Sequence, residues 1–129
     1  MIRVYLSGQI SGLPHDVSKR NFDKAHRSAI KYYTKVHGLY EVDIQIINPH
    51  KIKPFAGIKS WYFFMISDLK VIKTCHEIYH LDDWVVSPGA SIEHYVGIRR
   101  KLKIRYHHRC KAELKQYYIK QESEKIKST

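Results

Sequence analysis

The residues best suited to chemistry lie in one short segment, in which Ser87-Pro88-Gly89-Ala90 is followed by Glu93. The segment comes after an apolar stretch typical of a β-strand. Ser and Pro favour the start of a helix and Gly permits close backbone approach, so we predict a helix that opens here with Glu93 about one turn in. Free backbone N–H groups at a helix start can bind an anion such as phosphate. The segment therefore predicts an anion site beside a carboxylate, at the place where open α/β sheets bind ligands.

A second loop rich in Gly and Ser, residues 7–14, follows an alternating apolar run at residues 2–6. A strand, such a loop and a helix in this order can cradle a phosphate. The loop carries neither a P-loop nor a G-x-G-x-x-G pattern, so an ordinary strand-to-helix turn is the alternative. After the next predicted strand, Asn48 and His50 could line the same crevice, or Asn48-Pro49 could be only a turn.

These residues must be positioned by elements that hydrophobic periodicity predicts along the whole chain. Predicted strands cover residues 2–6, 42–47, 78–81 and 102–106, and predicted helices cover 16–36, 61–73, a segment from 88 and 112–121. Asp16 or Ser18 is expected to cap the first helix, which Gly38 stops, and Ser60 is expected to cap the second. The chain from residue 122 is expected to be frayed.

The second predicted helix has an apolar stripe that contains one acidic residue. Its expected buried residues are Trp61, Phe64, Met65, Leu69 and Ile72. Asp68 falls among them and is expected to face solvent or to pair with a neighbouring Lys. Strands that alternate with helices of this length predict an α/β fold with a parallel sheet of four or five strands and helices on both faces.

Bulk properties narrow the class of protein. The chain has 129 residues, which suits one domain, and no stretch is apolar enough for a membrane span. No signal peptide is visible, and Cys75 and Cys110 are expected to be free thiols, so a cytoplasmic protein is predicted. The net charge of +11 favours nucleic acid or a phosphorylated small molecule as partner, and a solvated charged face is the alternative. No spacing typical of a metal site is present, and the pair His107-His108 is expected to lie on the surface.

Taken together and in order, several motifs resemble the nucleoside 2-deoxyribosyltransferase-like superfamily, and most closely its DUF4406 group, which is related to 2'-deoxynucleoside 5'-monophosphate N-glycosidases. The resemblance covers about residues 1–106. Its residues are Val4-Tyr5-Leu6-Ser7-Gly8-Gln9-Ile10-Ser11-Gly12, Asn48-Pro49, Trp61, Met65, Asp68-Leu69, Cys75, Leu81, Trp84, Ser87, Gly89-Ala90 and Glu93. It implies a Rossmann/flavodoxin-like three-layer sandwich at residues 1–107, followed by a basic helix or tail at 108–129.

The resemblance also implies roles for individual residues. Glu93 would be a nucleophile that attacks C1' of a deoxyribose and displaces the base, with Tyr5 orienting it. Ser87 and the amides near Gly89 would hold a 5'-phosphate. The further substrate contacts expected from these motifs are Ser7, Gly8, Ile10, Ser11, Asn48, Asp82, Trp84 and Ala90. The mechanism needs no metal or cofactor, and a homodimer or larger homo-oligomer is implied.

One position departs from the pattern. Active relatives commonly have Asp directly after the position of Cys75, where it assists departure of the base, and this chain has His76. A histidine could act as the general acid, or could mark an altered substrate or a lost activity. Asp82 or Asp83 could supply the missing acid, or could belong to a solvated turn.

Three functions follow as hypotheses. The first is cleavage or transfer of the N-glycosidic bond of a nucleoside or nucleoside 5'-monophosphate. The second is a non-catalytic module that binds a nucleotide-like ligand. The third is a nucleic-acid-binding accessory protein that uses the positive charge.

Overall fold

A computed structural model describes residues 1–51 and 61–127, and side chains except those of residues 51 and 61–64. The strands are β1 (Ile2–Ser7), β2 (Ile44–Ile47), β3 (Glu77–His80) and β4 (Lys103–Tyr106). The helices are α1 (His15–Lys35), α2 (Trp61–Ile72), α3 (Pro88–Arg99) and α4 (His107–Lys127). Short 3-10 turns lie at Glu41–Asp43, Pro49–Lys51 and Trp84–Val86.

The four strands form one parallel sheet in the order β2-β1-β3-β4. Parallel neighbours need crossover connections, and helices supply them on both faces. The predicted α/β three-layer arrangement, consistent with a Rossmann/flavodoxin-like fold, is therefore confirmed, with four strands. The strand β4 lies at an edge of the sheet, and its apolar residues alternate with basic ones, as is common in edge strands.

Alternate side chains of the central strands pack into two separate hydrophobic cores, one on each face of the sheet. On the α1/α4 side, Val4, Leu6 and Tyr79 are buried against Phe22 of α1 and Cys110 of α4. On the α2/α3 side, the buried core contains Tyr5, Ile78, Ile72 and Cys75. The contact between α3 and the sheet is close, because a Cβ atom at Gly97 would lie 2.5 Å from Cδ1 of Ile78. A larger residue there would push away the helix that carries Glu93.

The helix α1 begins earlier than predicted. Its N-cap is Pro14, without a side-chain cap, and the first helical hydrogen bond runs from Ser18 N to Pro14 O. Neither Asp16 nor Ser18 caps the helix, and Ser18 is buried, with its hydroxyl bonded to Gln9 O (3.2 Å). The predicted end of the helix at residue 36 is within one residue of the observed end at Lys35. Gly38 follows with a φ of 66°, a value that favours glycine.

The terminal helix is longer than predicted. It begins at His107, directly after β4, and continues to Lys127 where a frayed end was expected. No Gly or Pro interrupts this stretch, so nothing stops the helix at residue 121. The surface assignment of His107 is wrong, because its ring is buried and its Nδ1 lies 2.6 Å from the Tyr79 hydroxyl.

Two predictions about α2 lie outside the described residues, namely the cap at Ser60 and the packing of the Trp61 and Phe64 side chains. The described part of the stripe is confirmed at Met65 and Ile72, which are buried. Among the described helices, none combines the length and apolar character needed to cross a bilayer.

Candidate functional site

The site is built around the Glu93 carboxylate, which α3 presents to the carboxyl end of the sheet. Two alternate residues of β1 point to the same face and hold it. The Tyr5 hydroxyl donates to Oε2 at 2.6 Å, and the Ser7 hydroxyl donates to Oε1 at 2.8 Å. Only 4% of the Glu93 surface is exposed, so both carboxylate oxygens have a fixed orientation. The resemblance placed Tyr5, Ser7 and Glu93 in one site, and the structure brings them together.

The start of α3 forms as its sequence predicts. Ser87 is the N-cap and accepts a hydrogen bond from Ala90 N at 3.1 Å, and Pro88 occupies the first turn. Glu93 lies six residues after Ser87, so it belongs to the second turn rather than the first. Its carboxylate therefore lies beside the strands, and of the first-turn amides only that of Gly89 stays available to a ligand, because Ala90 N and Ser91 N bond to Ser87.

A cavity of about 480 Å³ opens over this carboxylate. Its wall includes residues of the two segments in which the sequence predicted a site, namely the loop after β1 and the start of α3. These residues are Gly8, Ile10, Ser11, Ser87, Gly89, Ala90 and Glu93. Residues that close the remaining described wall are His15, Pro49, His50, Met65, Asp68 and Pro88. Such a volume suits a small organic ligand, and none of these lining residues is Lys or Arg.

Asp68 was expected to face solvent or to pair with a neighbouring Lys, and the structure instead places it in the cavity wall, so its part in the site was missed. It lines the cavity from α2 and interacts with the Tyr5 hydroxyl, so one tyrosine lies between two carboxyl groups. The signal was its position in the stripe Met65, Asp68, Leu69 and Ile72, whose spacing puts it on the face of α2 that turns towards the protein. The other residues of this stripe are apolar, so no Lys on the same face of the helix can pair with Asp68.

Burial raises the pKa of both carboxyl groups, Glu93 and Asp68. Burial, and then the charge of Asp68, raises the pKa of Glu93 to about 8, although the hydrogen bonds from Tyr5 and Ser7 act in the opposite direction. Burial raises the pKa of Asp68 to about 7, again against the effect of Tyr5. Two acids that titrate near neutral pH at a cavity are suited to exchange protons with a ligand.

The loop after β1 is held in a fixed position by contacts that leave no room for larger residues. A Cβ atom at Gly8 would lie 2.9 Å from Leu81 Cβ and 3.0 Å from Asp83 Oδ1. That same Asp83 oxygen accepts a hydrogen bond from Gln9 N at 3.1 Å. Asp83 therefore positions the loop and does not line the described cavity.

Two histidines form another part of the wall. The rings of His15 and His50 meet edge to face, with centroids 5.3 Å apart, and His50 Nε2 lies 2.7 Å from the Ser18 hydroxyl. Burial, with the nearby His15, lowers the pKa of His50. His50 was one of the residues that could line this crevice, whereas His15 was not recognised. Asn48 does not line the described cavity, and its Oδ1 instead accepts from His50 N at 3.0 Å.

Three predicted site residues lie elsewhere. His76 precedes β3 at the amino end of the sheet, is exposed, and accepts from Arg3 N at 2.9 Å, so the length of a strand separates it from Glu93. Asp82 is exposed and faces a different cleft, where His108 Nδ1 lies 3.7 Å from its carboxylate. Trp84 stacks on His80 and His94 and is not part of the described cavity wall.

Neither His76 nor Asp82 lines the cavity with Glu93. His76 lies at the opposite, amino end of β3, and Asp82, which follows β3, lines the cleft beside α1 and α4. Asp68 is the second acid of the cavity. Among the described residues, no three His, Cys, Asp or Glu side chains are grouped so that they could hold a metal ion.

Comparison with known proteins gives one result. No curated protein and no solved structure matches the chain. The family described as Domain of unknown function (DUF4406) matches residues 2–106, from the start of β1 to the end of β4, and so includes every residue of the described cavity wall. The terminal helix α4 lies beyond the match. The chain therefore belongs to the DUF4406 family.

Proposed function

We propose that this protein cleaves the N-glycosidic bond of a nucleoside or nucleoside 5'-monophosphate, with Glu93 as the nucleophile. The observation that carries the proposal is a buried carboxylate that two hydroxyl groups hold in place and that no described cation neutralises. Cleavage of such a bond develops positive charge at C1', and a fixed carboxylate at a cavity both stabilises that charge and can trap the sugar. This reading agrees with the resemblance drawn from the sequence.

In the first step, a Glu93 oxygen forms a bond to C1' while the bond from C1' to the base nitrogen breaks. The reactive form of the pair holds one proton, on Asp68, while Glu93 is ionised. The Tyr5 hydroxyl interacts with both carboxyl groups and can relay the proton from Glu93 to Asp68. Positive charge that develops at C1' then favours the ionised Glu93. Asp68, with a pKa of about 7, supplies the proton that the departing base accepts. In the second step, the Asp68 carboxylate takes a proton from water, and the oxygen of that water replaces Glu93 at C1'. A second base in place of water would give transfer.

The start of α3 suits a 5'-phosphate or a 5'-hydroxyl. The Ser87 oxygen already accepts from Ala90 N, so its own proton is free to donate to a ligand. Gly89 N has no hydrogen-bond partner among the described residues, whereas Pro88 has no N–H group. The anion would thus be held by neutral donors and the helix dipole rather than by a lysine or arginine.

The test is analysis of released base by chromatography. The protein is incubated with 2'-deoxynucleosides, their 5'-monophosphates and NAD, beside Glu93→Gln and the matched control Glu41→Gln, which changes an exposed glutamate. We expect base release by the native protein and by Glu41→Gln, and a loss of roughly 10³-fold or more in Glu93→Gln. Equal release by both variants would refute the role of Glu93.

A second candidate function is a module that binds the same ligands without turnover. The observation in its favour is the pKa of about 8 at Glu93, since a protonated carboxyl group donates a hydrogen bond to a ligand instead of attacking it. The two functions differ in outcome. A nucleotide that raises the melting temperature of both the native protein and Glu93→Gln, without any base release, would select the binding module.

A homodimer or larger homo-oligomer also stays a proposal, from the resemblance alone. Light scattering on the purified chain across a range of concentrations measures it. A monomer at all concentrations would mean that the described cavity works without a residue from a second subunit.

A further inference from the structure

The positive charge of this protein is concentrated on one layer of the fold. The helices α1 and α4, which pack together on one side of the sheet, carry twelve of the chain's 23 Lys and Arg residues. They carry five of its twelve acids. The cavity with Glu93 opens on the α2/α3 side and has no cation among its described lining residues. The layer therefore has a charge that the proposed chemistry does not use.

On α1 the cations form a regular row. Arg20, Lys24, Arg27, Lys31 and Lys35 follow one another at intervals of three or four residues, and all are exposed. This spacing puts them on one face of the helix, over a length of about 22 Å. We call these five residues the α1 row.

Most of the α1 row has no acid to neutralise it. Only Arg20 forms a salt bridge among the described residues, with Asp16 at 3.8 Å. The other acid of α1, Asp23, pairs with Lys19 outside the row at 3.8 Å. On α4, Glu113 interacts with Tyr32. Among the described residues, Arg27, Lys31 and Lys35 form no salt bridge and keep their charges available to phosphates, and Lys24 forms none either, although it shares a cleft with Asp82 and Asp83.

The helix α4 adds cations beside the row. Lys24 of α1 and Lys111 of α4 line one cleft of about 230 Å³, so the two helices bring these cations to one place, and Asp82 and Asp83 lie at the same cleft. Lys115 lies one turn after Lys111 and is also exposed. The cations thus form a surface two helices wide rather than a single line.

The α1 row favours one class of polyanion. No large apolar side chain of α1 is exposed between the cations. Single strands are bound largely by stacking on aromatic rings, and membranes by insertion of apolar side chains, so neither finds its usual contacts on α1. The exposed apolar side chains of α4 are Tyr118, Ile119 and Ile126, which follow Lys111 and Lys115 in the later part of that helix. The phosphate backbone of a duplex requires only cations at intervals along its length, and 22 Å corresponds to about six base-pair steps. We propose that the α1/α4 surface binds the backbone of duplex nucleic acid without reading its sequence.

The test measures binding of a labelled mixed-sequence DNA duplex of about 20 base pairs by fluorescence anisotropy between about 50 and 200 mM salt. The variant Lys24→Gln/Arg27→Gln/Lys31→Gln removes three cations of the row. Its matched control, Lys70→Gln/Lys73→Gln/Arg100→Gln, removes three exposed cations from the other side of the sheet. Circular dichroism and melting temperature establish that both variants fold.

For the native protein, we expect the logarithm of the association constant to fall with the logarithm of salt concentration with a slope of about −4. The row variant should bind at least about tenfold more weakly at the lowest salt, with a slope near −1, and the control should keep a slope of about −4. Lys24→Arg/Lys31→Arg should bind like the native protein.

Three results would overturn the proposal. The first is no binding of the duplex by the native protein at low salt. The second is an equal loss in the row variant and its control, because the net charge and not the surface would then decide binding. The third is tighter binding to phosphatidylserine vesicles, or to a single strand of equal length, than to the duplex. None of these outcomes depends on base release, so the proposal stands or falls apart from the function of Glu93.

Discussion

Two glutamates lie on opposite faces of the same sheet, Glu77 partly buried and Glu93 buried, and their surroundings differ in one respect. Glu77 begins β3, faces the α1/α4 side, and accepts from the Tyr33 hydroxyl at 2.7 Å and from Arg105 Nε at 2.9 Å. Glu93 accepts from the Tyr5 hydroxyl at 2.6 Å, but its nearest charged neighbour is a second acid, Asp68. Each has a tyrosine, and among the described residues only Glu77 has a cation.

This difference distinguishes a glutamate that stabilises the fold from one that serves a functional site. A buried charge that is paired with an opposite charge connects elements, and here it joins β3, β4 and α1. A buried acid that faces another acid costs stability, and such costs persist in proteins where a ligand or a reaction compensates for them. We therefore interpret Glu77 as structural and Glu93 as functional.

The largest expected effect is on the structural side. Glu77→Ala leaves Arg105 partly buried without its partner, so we expect a loss of about 3 kcal/mol in the free energy of unfolding. Denaturant titration measures it. Glu93→Gln serves as comparison and should not be destabilised at neutral pH. If the two variants lose equal stability, the distinction between the glutamates is wrong.

The next effect concerns the acid that accompanies Glu93. Asp68→Asn should lower the rate of base release by about 10²-fold, because it removes the proton donor for the leaving base. It should also abolish the alkaline limb of the pH–rate profile, since Asp68 is the group whose proton is needed. A profile that keeps this limb in Asp68→Asn would assign the acid to another residue.

The third prediction concerns stability against pH. The pKa of Glu93 is about 8 in the fold and ordinarily 4.5, so between these values the folded state binds more protons than the unfolded state. Stability contributed by this group is thus complete below about pH 4.5 and is lost as the pH rises through 8. Glu93→Gln cannot ionise and should gain at least about 1 kcal/mol over the native protein between pH 5 and 9. Melting curves at several pH values measure the gain, and a constant difference would contradict it.

The smallest effect is expected at His76. This residue lies at the amino end of β3, away from the cavity, so His76→Gln should leave base release unchanged within about twofold. The same assay decides it. A loss comparable to that of Asp68→Asn would restore the role that the sequence suggested for this histidine.

Much of the site could be foreseen because it depends on local rules. The spacing of Tyr5 and Ser7 puts both on one face of a strand, and Ser87-Pro88-Gly89 starts a helix by capping and by the fixed φ of proline. The parallel sheet followed from the alternation of strands and helices. The order of the motifs along the chain supplied the resemblance to the DUF4406 family, and the match over residues 2–106 confirmed that family.

The sequence by itself determined which elements form and which face of each is apolar, since these follow from hydrogen bonding and periodicity within a few residues. Only the tertiary structure decided which side chains meet. It brought Asp68 of α2 to Tyr5 and Glu93, left His76 at the far end of its strand, and buried His107 against Tyr79. Contacts of this kind depend on crossover connections and on the packing of helices against the sheet, which join residues many positions apart in the chain. The pKa values of Glu93 and Asp68 have the same origin, because burial arises from packing and not from local sequence.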